Sequence, residues 1–397
     1  MNKKVYSLIH VIIIIVVTAI ISALTTGVLF TKSAINRVGV NYSDIASDEN
    51  VKTFLNAYSE VVNGYYKDID KSAVINSAIS GMMEYLNEPY TTYLDDTNAD
   101  ILVNQLNGTY KGIGISIKDN LVVSTVIDSP AEKAGILAGD IIVAINDEDV
   151  SGKTSNEITG IIKNIDDEIT LRVKRNEEVL SFNLKSETLN IPSVEYKMID
   201  DTNIGYIKMT IFSSNLTNEV KTAVLRLENA GMGSLILDMR NNSGGYLEKA
   251  HEVASLFIKK DKLIYSLEDK NNKVDYKDQD DSEKNYPIVV LINGSTASAA
   301  EIVTAALKDS YGATLVGLKS FGKGKVQHTY RLDTGGMVKY TSSNWLRPDG
   351  SCIDGIGITP DYVIENENIY DSEDINKETI IDTIDYQLNK AIELLSN

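Results

Sequence analysis

The chain has 397 residues, 43% of them hydrophobic, with 56 acidic against 38 basic residues and a net charge of −18. That describes a globular protein with room for two or more domains; it excludes disorder throughout and disfavours a phosphate backbone, so nucleic acid is not an expected partner. The single cysteine, Cys352, can supply neither an intramolecular disulfide nor a thiolate zinc cage, and three histidines (His10, His251, His328) are few for imidazole chemistry.

Leu8–Phe30 is a run of 23 residues without a formal charge. As a helix it reaches about 35 Å at ~1.5 Å per residue, enough for a hydrocarbon core of about 30 Å. It is expected to anchor the chain in a membrane as a single pass, since the apolar core of a cleaved signal is only about 7–15 residues long. Lys3 and Lys4 precede the span while Lys32 and Arg37 follow it, so charge does not decide its orientation. His10 lies inside the span and leaves the catalytic candidates.

After this anchor (residues 1–35) a helical cap is expected over 36–107. Val51, Phe54, Leu55, Tyr58, Val61, Val62 and Tyr65 share one face of a helix within 43–66. A second helix is predicted from Ile69 to Leu86, stopped by the turn Asn87-Glu88-Pro89.

Residues 108–185 read as a compact, mostly β module: strands at Gly112–Lys118, Leu121–Ile127, Asp140–Asn146, Glu168–Lys174 and Val179–Leu184, with brief helices near Pro130–Gly135 and Ser155–Asn164. Tyr110-Lys111-Gly112-Ile113-Gly114-Ile115 resembles the carboxylate-binding loop of a PDZ domain. Ser129–Gly135 followed by Ala138–Ile142 is similar to that domain's inner signature. Glycines there let consecutive backbone N–H groups face an anionic chain end while the next strand offers an edge to a peptide.

From 186 to 366 the pattern turns to βα alternation, the mark of a layered α/β domain. Strands are predicted at Ile204–Met209, Ser234–Met239, Ile288–Ile292 and Ala313–Leu318, and helices at Leu216–Ala230, Tyr246–Phe257 and Ala297–Lys308. The charged stretch Lys259–Asn285 reads as a solvated hairpin or loop. In the terminal segment 367–397, Ile384, Leu388, Ala391 and Leu395 mark an amphipathic helix whose apolar face needs cover, from the same chain or from a second copy in a homodimer.

Two segments could carry chemistry. The strand Ile288–Ile292 runs through small residues into a helix, which places Ser298 beside unpaired N–H groups and the positive end of the helix dipole. Ser298 is therefore a candidate nucleophile, or alternatively Ser295, Thr296 or Ser298 is only a helix cap. In Phe321-Gly322-Lys323-Gly324-Lys325-Val326-Gln327 the pattern G-x-x-x-x-G-K-[ST] is absent, which weakens a nucleotide reading. Lys323 could be a base if burial lowers its pKa, because at ~10.4 only about one lysine in a thousand is neutral near pH 7.4. On a regular strand Lys323, Lys325 and Gln327 would share one side, letting the Gln327 amide orient the amine.

Together these segments resemble the carboxyl-terminal processing, or tail-specific, proteases. The resemblance covers most of Gly81–Asp361, including Glu88-Pro89-Tyr90-Thr91-Thr92-Tyr93, the PDZ insert, Leu237–Gly245, Asn293–Ile302, Phe321–Gln327 and Gly355–Asp361. It implies an α/β fold: a ClpP/crotonase-like protease domain with an inserted PDZ domain. It places Ser298 at the nucleophile position, Lys323, 25 residues later, at the base position, and Gln327 at the lysine-orienting position. The mechanism implied is acyl transfer, with Gly244, Gly245 and Ala299 as oxyanion donors and no metal or cofactor. With the anchor expected from Leu8–Phe30, the catalytic domain is expected to face outward; substrates presented by their C-termini and use of the cap and terminal helices in a homodimer are further expectations that the resemblance supports. Ser243 stands where the family often has proline, which could loosen the Gly244-Gly245 turn. Asp309, at the end of the nucleophile helix, is read as a solvated carboxylate.

Other classes fit less well. A Ser-His-Asp site would need His251 or His328, neither of which has an independent signal. Metal hydrolysis lacks a His-Glu-x-x-His pattern. A membrane-tethered PDZ adaptor with an inactive protease domain is the alternative from a different functional class, and the presence of serine, lysine, glutamine and double glycine together argues against it.

Overall fold

The computed structural model describes residues 42–126, 128–163, 165, 168–370 and 380–396. The expected anchor Leu8–Phe30 lies outside them; among the described residues no helix is long and apolar enough to cross a membrane. The chain divides into two compact units, Met1–Ala78 and Ile79–Asn397.

The first unit holds α1 (Tyr42–Ser47) and α2 (Glu49–Gly64), and the boundary falls within α3 (Lys71–Tyr85). The single helix expected over 43–66 is broken at Asp48, which takes an extended conformation and caps α2 by accepting from Asn50 N–H. Neither α2 nor α3 buries a side chain, and Phe54, Leu55 and Val61 stay exposed.

The second unit begins with β1 (Thr92–Leu94) and α4 (Asp96–Asn107), which the sequence reading placed in the cap. β1 instead pairs with a strand far along the chain, because Thr92, Tyr93 and Leu94 register against Lys339, Val338 and Met337. A stem of β2 (Thr109–Gly112) paired with β9 (Glu187–Asn190) leads into and out of the inserted module. The module contains β3 (Ile115–Lys118), β4 (Leu121–Thr125), α5 (Pro130–Ala134), β5 (Ile141–Ile145), β6 (Glu148–Asp149), α6 (Ser155–Lys163), β7 (Glu168–Arg175) and β8 (Glu178–Lys185). Its sheet runs β3-β4-β5-β7-β8 with β6 on β5, and Ile113, Val122, Ile142, Ile158, Ile169 and Leu171 form its own core. The expected continuous strand Gly112–Lys118 is divided at Ile113-Gly114, where Gly114 takes φ +84°; a Cβ there would lie 2.1 Å from Ser129 Cβ.

The α/β layers follow: β10 (Val194–Met198), β11 (Ile204–Met209), α7 (Leu216–Asn229), β12 (Ser234–Asp238), α8 (Leu247–Ser255), β13 (Leu263–Glu268), β14 (Lys273–Lys277), β15 (Ile288–Ile292), α9 (Ala299–Ala306), β16 (Thr314–Gly317), β17 (Lys325–Arg331), β18 (Met337–Leu346) and β19 (Tyr362–Val363). The main sheet runs β10-β11-β12-β15-β16-β19 and is parallel from β11 onward. β12 and β15 are buried throughout, and Leu235–Leu237 of β12 and all of β15 are apolar because both faces are covered: Leu235, Leu237, Val290 and Ile292 join the large core with α7, α8 and α9, while Ile236, Val289 and Leu291 face the other way. That other face is covered by α10 (Tyr386–Leu395), which follows the hairpin β20 (Glu367–Tyr370) and β21 (Ile380–Ile384). Ala391 is fully buried there, with Leu388, Ile392 and Leu395 packed alongside. The terminal helix thus covers its apolar face in cis, which removes the reason to assign it to a dimer.

A second sheet runs β1-β18-β13-β14 with β17 on β18. It corrects the reading of Lys259–Asn285. The segment does form a hairpin, but β13 is not solvated: Ile264, Tyr265 and Ser266 are at most 2% exposed, since β13 pairs with β18 on one side and β14 on the other.

Candidate active site

Ser298 stands at the junction where β15 gives way to α9, with φ +57° and ψ −120°. A non-glycine residue there is strained, and such strain persists only where neighbours hold it. Glu301 does so: it is fully buried, and its Oε2 accepts from Ser298 N–H at 2.8 Å. The same oxygen accepts from Lys323 N–H at 2.9 Å, while Oε1 accepts from Ser320 Oγ at 2.6 Å and Gly322 N–H at 2.7 Å. Burial pushes the Glu301 carboxyl pKa up, against the pull of these hydrogen bonds.

Lys323 lies in the loop before β17. Trp345 Nε1–H donates to its carbonyl at 2.9 Å, and its Nζ sits 4.7 Å from the centroid of the Tyr90 ring. Burial pushes its pKa below the ordinary lysine value and the charge of Lys339 pushes the same way, against Glu88 and Glu301. This is the direction a general base needs.

The double glycine follows β12. Gly244 takes φ +100°, and a Cβ on it would lie 2.8 Å from Ser298 Cβ and 3.0 Å from Ala299 N, so only glycine lets the turn approach Ser298. Ser243 does not loosen this turn. It is held by Asn242, whose Nδ2 donates to Met209 O and whose Oδ1 accepts from Gly244 N–H at 2.9 Å. In this conformation that bond occupies the Gly244 donor; the N–H groups of Gly245 and Ala299 have no protein acceptor among the described residues.

Ser298, Lys323, Gln327, Gly244, Gly245 and Ala299 all line one cleft of about 610 Å3. The reading of Lys323–Gln327 as a regular strand fails: β17 starts at Lys325, and its register against β18 slips between Val326 and Gln327. The bulge breaks the alternation, so Gln327 and His328 both line the cleft. Gln327 Nε2 donates to Thr341 Oγ1 at 3.4 Å rather than to Lys323. His251 lies on α8 with Nε2 3.2 Å from Lys277 O, outside this cleft. Asp309 is not a solvated carboxylate, since Arg347 grips both of its oxygens at 3.0 and 2.7 Å.

The proposed peptide-binding residues sit at the mouth of the module. Tyr110, Lys111 and Gly112 are held in β2 against β9, Ile113 is buried, and Ile115 opens the edge strand β3. Ala131 N–H donates to Ile113 O and Val126 N–H to Gly114 O, which fixes the loop from behind.

Sequence reasoning missed Glu301, although an acid three residues after Ser298 is a capping-box signal. It also gave no role to the turn at Glu88–Thr91. Glu88 Oε2 accepts from Tyr90 N–H, Thr91 Oγ1 and Thr341 Oγ1 at 3.2, 2.8 and 2.7 Å. Only the β1–β18 pairing brings that turn to the cleft.

A serine peptidase with an inserted PDZ domain is the class that this fold and site define, and comparison with known proteins agrees. The Peptidase family S41 profile matches residues 203–364, a PDZ domain profile matches 108–186, and the profile of the activating protease CtpB N-terminal domain matches 25–98. A CtpA-like serine protease of Staphylococcus aureus is 34% identical over 360 residues, covering 89% of this chain and 72% of that protein. One from Staphylococcus epidermidis is 33% identical, covering 88% and 71%. The chain belongs to Peptidase family S41 and is a serine-type peptidase of the carboxyl-terminal processing class. An S41 protease from Bacteroides fragilis shares the fold at TM-score 0.51 and 18% identity, over 79% of this chain and 87% of that one.

Proposed function

We propose that the chain is a membrane-anchored endopeptidase that cuts protein substrates near C-termini selected by its PDZ domain, with Ser298 as nucleophile and Lys323 as general base. The observation that carries this reading is a strained serine at a helix N-terminus, sharing a cleft with a lysine driven toward its neutral form. Neutral Lys323 takes the hydroxyl proton as Ser298 Oγ bonds to the peptide carbonyl carbon, and the carbonyl π electrons move to its oxygen. Gly245 and Ala299 N–H groups hold that oxyanion, at about 3–4 kcal/mol for a well-placed donor. Collapse breaks the C–N bond, and the Lys323 ammonium protonates the leaving amine. The neutral lysine then takes a proton from the water that adds to the acyl carbon, and returns it to Ser298 Oγ as the ester C–O bond breaks and the carboxylic acid product leaves. Gln327 acts through the Thr341 hydroxyl.

Anchorage through Leu8–Phe30, with the catalytic domain outside the cytoplasm, is supported by the length of the uncharged run. A homodimer would use the cap helices, where α2 exposes Phe54, Leu55 and Val61.

A serine-directed fluorophosphonate should label the wild-type chain and not Ser298→Ala. Mass spectrometry of membrane and secreted proteins should find longer C-termini in cells carrying only Ser298→Ala. Peptide binding without labelling or turnover would mean an adaptor instead.

A further inference from the structure

The cycle just described asks Lys323 for two opposed things: a neutral amine when Ser298 attacks and an ammonium when the amine leaves. Two groups of opposite charge lie on elements that meet at the same cleft and turn. Lys339, on the central strand β18, lines the same cleft and forms no ion pair among the described residues. Glu88 approaches through the turn that also places Tyr90 against the amine. Its Oε2 is held by three donors, including Thr341, two residues along β18 from Lys339, and its Oε1 is buried with no hydrogen-bond partner. An unpartnered buried carboxylate oxygen is costly unless a donor or a cation offsets it.

We propose that Lys339 and Glu88 are paired positioning residues for Lys323: Lys339 disfavours the ammonium and so readies the base, while Glu88 favours the ammonium and so lets the proton be retained until the leaving group takes it. The proposal rests on the reading of Lys323 as base. Other charged or titratable groups around the amine are Tyr90, at 4.7 Å, Glu301 beneath the loop, Lys325 and His328 on β17, Asp354, which pairs with Lys325 at 3.5 Å, and Tyr246 and Glu248 from the start of α8, which line the same cleft. Glu301 is committed to four donors and Lys325 is paired, whereas Lys339 and Glu88 have no salt-bridge partner among the described residues. Removing either one should therefore change the balance, and in opposite directions.

The test uses the full chain with [13Cε]lysine, the Lys323 signal being assigned by its loss in Lys323→Arg. Lys339→Gln should move the Lys323 titration to higher pH and Glu88→Gln to lower pH. The acid limb of kcat/KM should follow, the neutral fraction changing about tenfold per unit well below the pKa. Lys339→Arg and Glu88→Asp, which keep the charges, should restore the wild-type position and separate charge from folding. Titrations that stay at the wild-type position, or move in the same direction in both Gln variants, overturn this proposal while leaving the general-base reading intact. Opposite shifts of the NMR titration with an unmoved rate profile overturn the general-base reading and with it the catalytic role given to the pair.

Discussion

Ser298 and Lys323 donate their backbone N–H groups to one and the same oxygen, Oε2 of Glu301, at 2.8 and 2.9 Å. The spacing of Ser298 and Lys323 is therefore set by a single buried side chain instead of by the two loops independently. Replacing Glu301 by Gln puts an amide NH2 or a single carbonyl oxygen where four donors now converge. Glu301→Gln should lower kcat by roughly 10²-fold, the scale of an ångström-sized misplacement, with KM changed little. Equal loss in kcat and 1/KM, measured on one peptide, would argue against this role.

Lys323→Ala should leave the protein folded and reduce kcat/KM by about 10²–10⁴-fold, the usual contribution of a positioned base. In the wild type, kcat/KM should rise with pH along an acid limb whose midpoint lies below the ordinary lysine value, because burial and Lys339 lower the amine's pKa. The sign for stability follows. The folded state binds this proton less tightly than the unfolded chain, so stability should rise with pH between the lowered value and ~10.4. Near-normal turnover by the alanine variant would refute the dyad.

Gly244→Ala should be among the most damaging single methyl additions in the domain. Its Cβ would meet Ser298 Cβ at 2.8 Å and a backbone oxygen at 2.9 Å, at a φ that alanine resists. Since Ser298 must move, labelling by a serine-directed probe should slow by roughly 10²-fold, even if circular dichroism is unchanged. A normal labelling rate would show that the turn can give way without disturbing the nucleophile.

For the PDZ domain, a peptide with a free C-terminal carboxylate should bind the intact Ser298→Ala chain more tightly than the same peptide amidated. Gly114→Ala should weaken both, since the new Cβ would overlap Ser129. Equal affinity for acid and amide, read by calorimetry, would remove Gly112–Gly114 as a carboxylate site.

Within that module Arg175 donates to both oxygens of buried Asp140 at 2.7 and 2.8 Å and holds its carboxyl below the usual range. This pair should contribute stability above the unfolded carboxylate value of ~3.9 and lose it as pH falls through the lowered folded value. Asp140→Asn should therefore weaken hydrogen-exchange protection across β5 and β7 at pH 7, with the difference closing in acid. A difference that persists unchanged in strong acid would contradict the ion-pair account.

Much of this protein could be read from local pattern. The strand β15 is apolar at every position, and β12 across Leu235–Leu237, because both their faces are covered, and the small residues around Ser298 mark the entry to a helix. Such signals depend on neighbours in the chain, and there the linear reading placed the PDZ module and the junction of β15 with α9 where Ser298 stands. Tertiary structure decided the rest. Glu88 reaches the site only because β1 pairs with β18, whose partner residues lie far along the chain. The bulge in β17 turns Gln327 to Thr341, and Asn242, not the residue at 243, holds the double glycine. The terminal helix finds its cover on β12, β15 and β16, which no periodicity can name. A pattern records which face of an element is apolar or which residue can cap it. What meets that face, and which charge settles beside a buried amine, depends on contacts between segments that only the closed fold brings together.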